Sequence, residues 1–225
     1  MKIKKYICPL FDSAFNIATR LKLANTPIIG TSLDVIYTES VQSVKDIMIN
    51  QTIEDLDYSK VDKDFLYSSE FSELLMKALE IAFNEINKEK LIFYSKLIKN
   101  SLESSPTERR YNLDYIKVIC DLSIEQMYIL NEIYKQQKNI FEIQEENPDL
   151  NDLQLVKECT DWENLSSIIK TNYDIDYDDF QFLLKRIEST GLIHEVIGAF
   201  WDYEGGIYII TPTLIKIFEK LEIYE

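Results

Sequence analysis

Residues 183–196 read LLKRIESTGLIHEV, and residues 207–221 read IYIITPTLIKIFEKL. Two periodicities meet here. Asp176 can cap a helix over 177–190, and Gly191 can supply the left-handed residue that ends it. Residues 192–197 and 207–211 are short runs rich in β-branched side chains. Between them lies GAFWDYEGG, 198–206, whose Gly205-Gly206 pair can take the positive φ of a hairpin. Thr211-Pro212 then opens a last helix with Leu214, Ile217, Phe218 and Leu221 on one face.

Upstream, helical signals dominate. Residues 113–120 form one helix, and Ser123 with Gln126 has the capping-box spacing for another over 124–137. Asn147-Pro148 reads as the N-cap and first residue of a helix reaching Cys159, and Asp161 can cap one reaching Lys170. Three helices followed by helix, strand, hairpin, strand and helix is the order of a winged helix. The two quoted segments resemble the endings of many bacterial winged-helix domains, in which helix, G-L-I, hairpin and Y-x-I/L-T-P recur.

The N-terminal half reads as a helical bundle. Asp12 or Ser13 can cap a first helix to about residue 24, broken by Asn25, Thr26, Pro27 and Gly30. A second helical stretch covers 33–56, and 57–64 is a charged connector. The strongest stripe is Phe71, Leu74, Leu75, Ala78, Leu79, Ala82, Phe83 and Ile86, one face of an α-helix. Residues 90–102 are apolar nearly all round, which suits a central helix. ESSPTERR, 103–110, is the best linker. The expected fold class is therefore mainly α: a helical bundle domain over 1–103, then a winged-helix-like domain over 111–225 with one small β-hairpin.

Composition narrows function. The 225 residues hold 24 basic and 39 acidic side chains, for a net charge of −15. From 142 to 179 there are twelve acids against Lys157 and Lys170, a local net of −10. The helix that would enter a DNA groove begins Asp176-Tyr177-Asp178-Asp179 and carries only Lys185 and Arg186, while the hairpin holds Asp202 and Glu204. Phosphates near such a surface are repelled, so charge argues against nucleic acid and anionic membrane as partners. One His and three widely spaced Cys (8, 120, 159) leave no zinc pattern, and the thiols read as reduced.

No glycine fingerprint, P-loop, H-E-x-x-H or G-x-S-x-G occurs. Asp174-Ile175-Asp176-Tyr177-Asp178 mimics the start of a calcium loop, but Asp179 replaces the sixth-position Gly and Lys185 the final Glu, so helix capping explains it better. His194 reads as a local hydrogen-bonding residue. No catalytic residue, cofactor or metal is expected. The apolar stretch at 6–11 is too short for a signal peptide, and no window approaches eighteen apolar residues, which together imply a cytoplasmic protein. Phe200, Trp201, Tyr203 and Tyr208 cluster in or beside the hairpin. They pack onto the core as cross-strand pairs, or they form an aromatic anchor for a protein partner.

Residues 70–225 resemble bacterial proteins of the abortive-infection alpha type. The matching residues are Glu70-Phe71, Leu74-Leu75, Ala78-Leu79-Glu80, the corner Asn87-Lys88-Glu89-Lys90 and Leu97-Ile98-Lys99-Asn100. Further on they are Asp121-Leu122-Ser123, Met127-Tyr128-Ile129-Leu130, Gly191-Leu192-Ile193 and Tyr208-Ile209-Ile210-Thr211-Pro212. These are helix seams and turns. The resemblance implies a helical domain plus winged helix, a cytosolic setting and a part in phage defence, and it carries over no catalytic residue. The expected function is a non-enzymatic protein-interaction module acting through self-association or a protein partner. The alternatives are a DNA-binding winged-helix regulator, an acidic DNA mimic that inhibits a DNA-binding protein, and a hydrolase with an unrecognised site.

Overall fold

Short polar side chains set where the helices begin. The computed structural model describes residues 9–17, 42–53, 56–57, 59–83, 85, 87–196 and 205–221. The chain divides into two compact units, Met1–Cys120 and Asp121–Glu225.

In the first unit, 9–17 (α1) and 42–53 (α2) are helical, followed by α3 (Lys63–Leu66), α4 (Ser69–Ala82), α5 (Lys88–Glu103), α6 (Pro106–Arg109) and α7 (Asn112–Asp121). Asp62, Ser68 and Asn87 cap α3, α4 and α5 by accepting from first-turn N–H groups. Residue 9 is already helical, so neither Asp12 nor Ser13 starts the first helix. Asp12 instead pairs with Lys45 of α2 at 2.6 Å. The α4 stripe from Phe71 to Ala82 is buried and packs on α5, while Ile86 lies outside the described residues. Rings lock the bundle edge to face, Phe15 on Phe83 at 5.4 Å and Phe65 on Phe71 at 5.5 Å. Buried Lys90 pairs with Glu85 at 2.8 Å and donates to the Cys120 carbonyl at 3.2 Å, placing a cation at the C-terminal end of α7. The stretch 103–110, read as a linker, holds α6, closed by a capping box between Ser105 and Glu108.

The second unit contains α8 (Ile124–Gln137), α9 (Ile140–Glu146), α10 (Asp152–Cys159), α11 (Trp162–Tyr173), α12 (Tyr177–Glu188), β1 (Ile193–Glu195), β2 (Tyr208–Ile210) and α13 (Pro212–Leu221). The helix expected to open at Asn147-Pro148 begins later. Asn147 ends α9, Pro148 sits in a turn, and α10 starts after Asn151, whose side chain forms a capping box with Gln154. The box satisfies two orphan N–H groups where Asn147-Pro148 would satisfy one. Helix α8 packs against α10, α11, α12 and β2, with Ile129, Leu130 and Ile133 fully buried. Tyr134 meets Phe218 of α13 at 5.0 Å, and Tyr173 stacks on Tyr128 at 4.5 Å while donating to Glu132.

The strands are antiparallel, pairing Ile193 with Ile210, His194 with Ile209 and Glu195 with Tyr208. Val196 N–H donates to Ile207 C=O at 2.9 Å, and Thr211 N–H to Leu192 C=O at 3.0 Å. Alternation along β2 therefore turns the Tyr208 C=O and Ile210 N–H away from β1. The Gln137 side chain meets both, donating to the Tyr208 carbonyl and accepting from the Ile210 N–H, each at 3.0 Å. Its Nε2 also donates to Thr160 Oγ1 at 2.9 Å. A carboxamide has the donor and acceptor of a peptide group, so Gln137 takes the place of a third strand along this buried edge. The observed architecture is mainly helical with one small antiparallel hairpin. Among the described residues, no helix is long and apolar enough to cross a membrane.

Candidate functional site

Helix α12 faces two ways. Phe180, Leu184 and Ile187 are buried, and at 100° per residue they share one side. The opposite side is solvent-facing and holds Asp178, Asp179, Phe182, Lys185 and Arg186. Phe182 is 61% exposed and Tyr177, at the first turn, 63%. Arg186 places its guanidinium 6.0 Å from the Phe182 ring centroid.

The hairpin base is tied to α12 by a charged cluster. The Lys185 ammonium bonds Glu195 and lies 3.4 Å from Glu188. Glu188 accepts from the Glu195 N–H at 2.8 Å, and Glu195 accepts from the Gly206 N–H at 2.7 Å. The Lys185 hydrogen bond, followed by the Gly206 N–H, holds the Glu195 carboxyl below its ordinary range. The same bond to Glu195 raises the Lys185 ammonium above its ordinary value. Lys185 is thus occupied by protein carboxylates. On the other side of α12's start, Lys170 is held by Asp174 at 2.8 Å and Asp176 at 2.7 Å. Asp174 is the left-handed C-cap of α11, at φ 56°. The calcium-like run is therefore a helix junction closed by a lysine.

Gly205 and Gly206 have φ of +90° and +82°. A β-carbon on Gly205 would come within 2.9 Å of Glu195 Oε1. Gly205→Ala should therefore cost about 1–3 kcal/mol, from strained backbone and a displaced carboxylate. Urea unfolding followed by tryptophan fluorescence would read the loss, and an unchanged midpoint would mean that the hairpin return is not held by this cluster.

Of the four aromatic residues singled out from sequence, Phe200, Trp201 and Tyr203 lie outside the described residues. Tyr208 is fully buried, its ring 6.1 Å from Trp162 and 5.4 Å from the Lys185 ammonium. Its phenol is raised chiefly by burial. Of the two readings open for Tyr208, anchor or core, its burial fits the core, because β2 is covered by α8 and α10 as well as paired with β1. Among the described residues of this unit, the exposed large aromatic side chains are Tyr177 and Phe182. Neither was singled out from sequence, although Phe182 opposes Phe180, Leu184 and Ile187 on a helical wheel.

All twelve acids between 142 and 179 are exposed. His194 is half-exposed, with Nε2 3.9 Å from Asp152. Cys8 lies outside the described residues, and burial pushes the Cys159 thiol up, away from the thiolate. Among the described residues no three His, Cys, Asp or Glu side chains converge as a metal site. Gln136, Lys157, Cys159, Trp162 and Ile207 line an open depression of about 650 Å³. Comparison with known families, curated proteins and solved structures finds no match for this chain.

Proposed function

We propose that this chain is a non-enzymatic protein-interaction module whose second unit uses a winged-helix-like arrangement for protein contact. The observation that carries the reading is the solvent side of α12. It holds an exposed Phe182 beside Asp178 and Asp179, while Lys185 is committed to Glu195 and Glu188. Duplex binding needs cations free to displace counterions, and exposed aromatics flanked by charge suit protein interfaces instead. The polar clusters of this unit also have structural work: Gln137 closes a strand edge, and Glu195 holds the hairpin return. The resemblance to abortive-infection alpha proteins adds phage defence in the cytosol as the setting.

Fluorescence anisotropy with random duplex DNA at low salt, alongside light scattering, tests this reading. No DNA binding together with self-association, or with capture of a protein from the native host, is the expected result. Binding that weakens steeply with added salt would favour the alternative, a DNA-binding regulator. The exposure of all twelve acids between 142 and 179 favours one further reading, a DNA mimic. Its mark would be displacement of DNA from a basic DNA-binding protein.

A further inference from the structure

We infer that the partner of the α12 face is a second copy of this chain, docked antiparallel across a two-fold axis through Phe182. The inference rests on the reading of the second unit as a protein-contact module and names its partner. Along the exposed side, Asp178, Phe182 and Arg186 follow at four-residue steps and so lie almost in line. Two antiparallel helices crossing at Phe182 bring positions equally far from 182 together. Asp178 then meets Arg186 of the second copy, about 6 Å along the axis from the crossing.

The order of charge on this face is thus self-complementary, as a two-fold contact requires. The two charged residues in line with Phe182, Asp178 and Arg186, each have the opposite sign at the mirrored position. Of the other charges, Lys185, which mirrors Asp179, is held by Glu195 and Glu188 of its own chain, and Glu188, which accepts from the Glu195 N–H, mirrors Asp176, which pairs with Lys170. Antiparallel helix dipoles add in the same sense. Phe182 meets its own copy at the centre, with Arg186 already over its ring on each side.

A single helix pair is a small interface, and the net charge of −15 on each copy opposes association, so a weak, reversible dimer is expected. Sedimentation of the full chain across a range of concentrations tests this. Asp178→Arg alone and Arg186→Asp alone each set like charges against each other and should weaken the dimer at least about tenfold. Mixing the two variants, or combining both changes in one chain, restores opposite charges and should restore the dimer. Phe182→Ala should weaken it without rescue by either charge change. All three positions are exposed, and an unchanged circular dichroism spectrum certifies folding. Wild-type chain that stays monomeric throughout overturns the inference and leaves a different protein partner to be sought by capture. A dimer indifferent to the charge reversals also overturns it, while self-association itself stands.

Discussion

Gln137→Ala should destabilise the second unit by about 3–9 kcal/mol, the sum over three orphaned groups. The side chain is fully buried and makes three hydrogen bonds. Truncation orphans the Tyr208 carbonyl, the Ile210 N–H and the Thr160 hydroxyl together, at about 1–3 kcal/mol for each buried group left unsatisfied. That loss rivals the whole stability of a small domain. Both tryptophans, Trp162 and Trp201, belong to 121–225, so their fluorescence reports this unit during urea unfolding. Gln137→Glu sharpens the test. It keeps the acceptor for Ile210 but loses both donors and buries a charge, which raises the carboxyl's folded pKa. A raised folded pKa adds stability that is present at low pH and lost as pH rises through it. The Gln137→Glu penalty should therefore shrink on acidification, whereas the Gln137→Ala penalty should not. A loss below about 1 kcal/mol for Gln137→Ala would mean that the amide does not close the strand edge.

What the sequence revealed, and what it did not, divides by the range of the interaction. Local chemistry was readable: the buried stripe from Phe71 to Ala82, the capping box of Ser123 and Gln126, and the positive φ of Gly191, Gly205 and Gly206. Each depends on neighbours within a few residues. Gln137 was not readable, since its strand partners lie 71 and 73 residues away and a lone amide at a helix end carries no periodic mark. Helix α9 escaped notice because only Ile140 of its seven residues is buried, so it shows no stripe. Asn147 misled for the opposite reason: its capping chemistry is real, but Asn151 and Gln154 satisfy more backbone groups.

The candidate site divides in the same way. The charge of residues 142–179 follows from composition, and all twelve acids are exposed. Whether Lys185 was available to a phosphate could not be read, since its partner Glu195 lies across a turn in a different element. Tyr208 lies close to the hairpin aromatics in sequence, but covering elements bury it. Phe182 needed only a wheel drawn around Phe180, Leu184 and Ile187. It stands on an outer face that is otherwise polar, and the proposed contact rests on that exposure.

In the first unit, Asp62→Asn should cost more stability than Arg109→Met, although each removes one member of the same ion pair. Arg109 is buried, bonds Asp62, and lies 3.9 Å over the Phe65 ring, and among the described residues no acceptor reaches its Nη1. An uncompensated buried guanidinium costs about 3–5 kcal/mol, and the single acceptor left by Asn recovers only part of this. Asn is as good an N-cap as Asp, so the change leaves the cap of α3 in place and isolates the charge. Met keeps the contact with Phe65 and removes the buried charge, so Arg109→Met should cost less than about 1.5 kcal/mol. The double variant should recover most of what Asp62→Asn loses, a coupling that a cycle reads directly. Acid titration adds an independent sign. The Arg109 hydrogen bond, followed by the Phe65 N–H, holds Asp62 below the ordinary aspartate range. A depressed folded pKa adds stability that is present above the unfolded value and lost as pH falls through the folded one. Circular dichroism melts should therefore show wild type converging on Arg109→Met as pH falls below the usual aspartate range. Curves that stay parallel there would place the stabilisation in the packing of the Arg109 stem rather than in its charge.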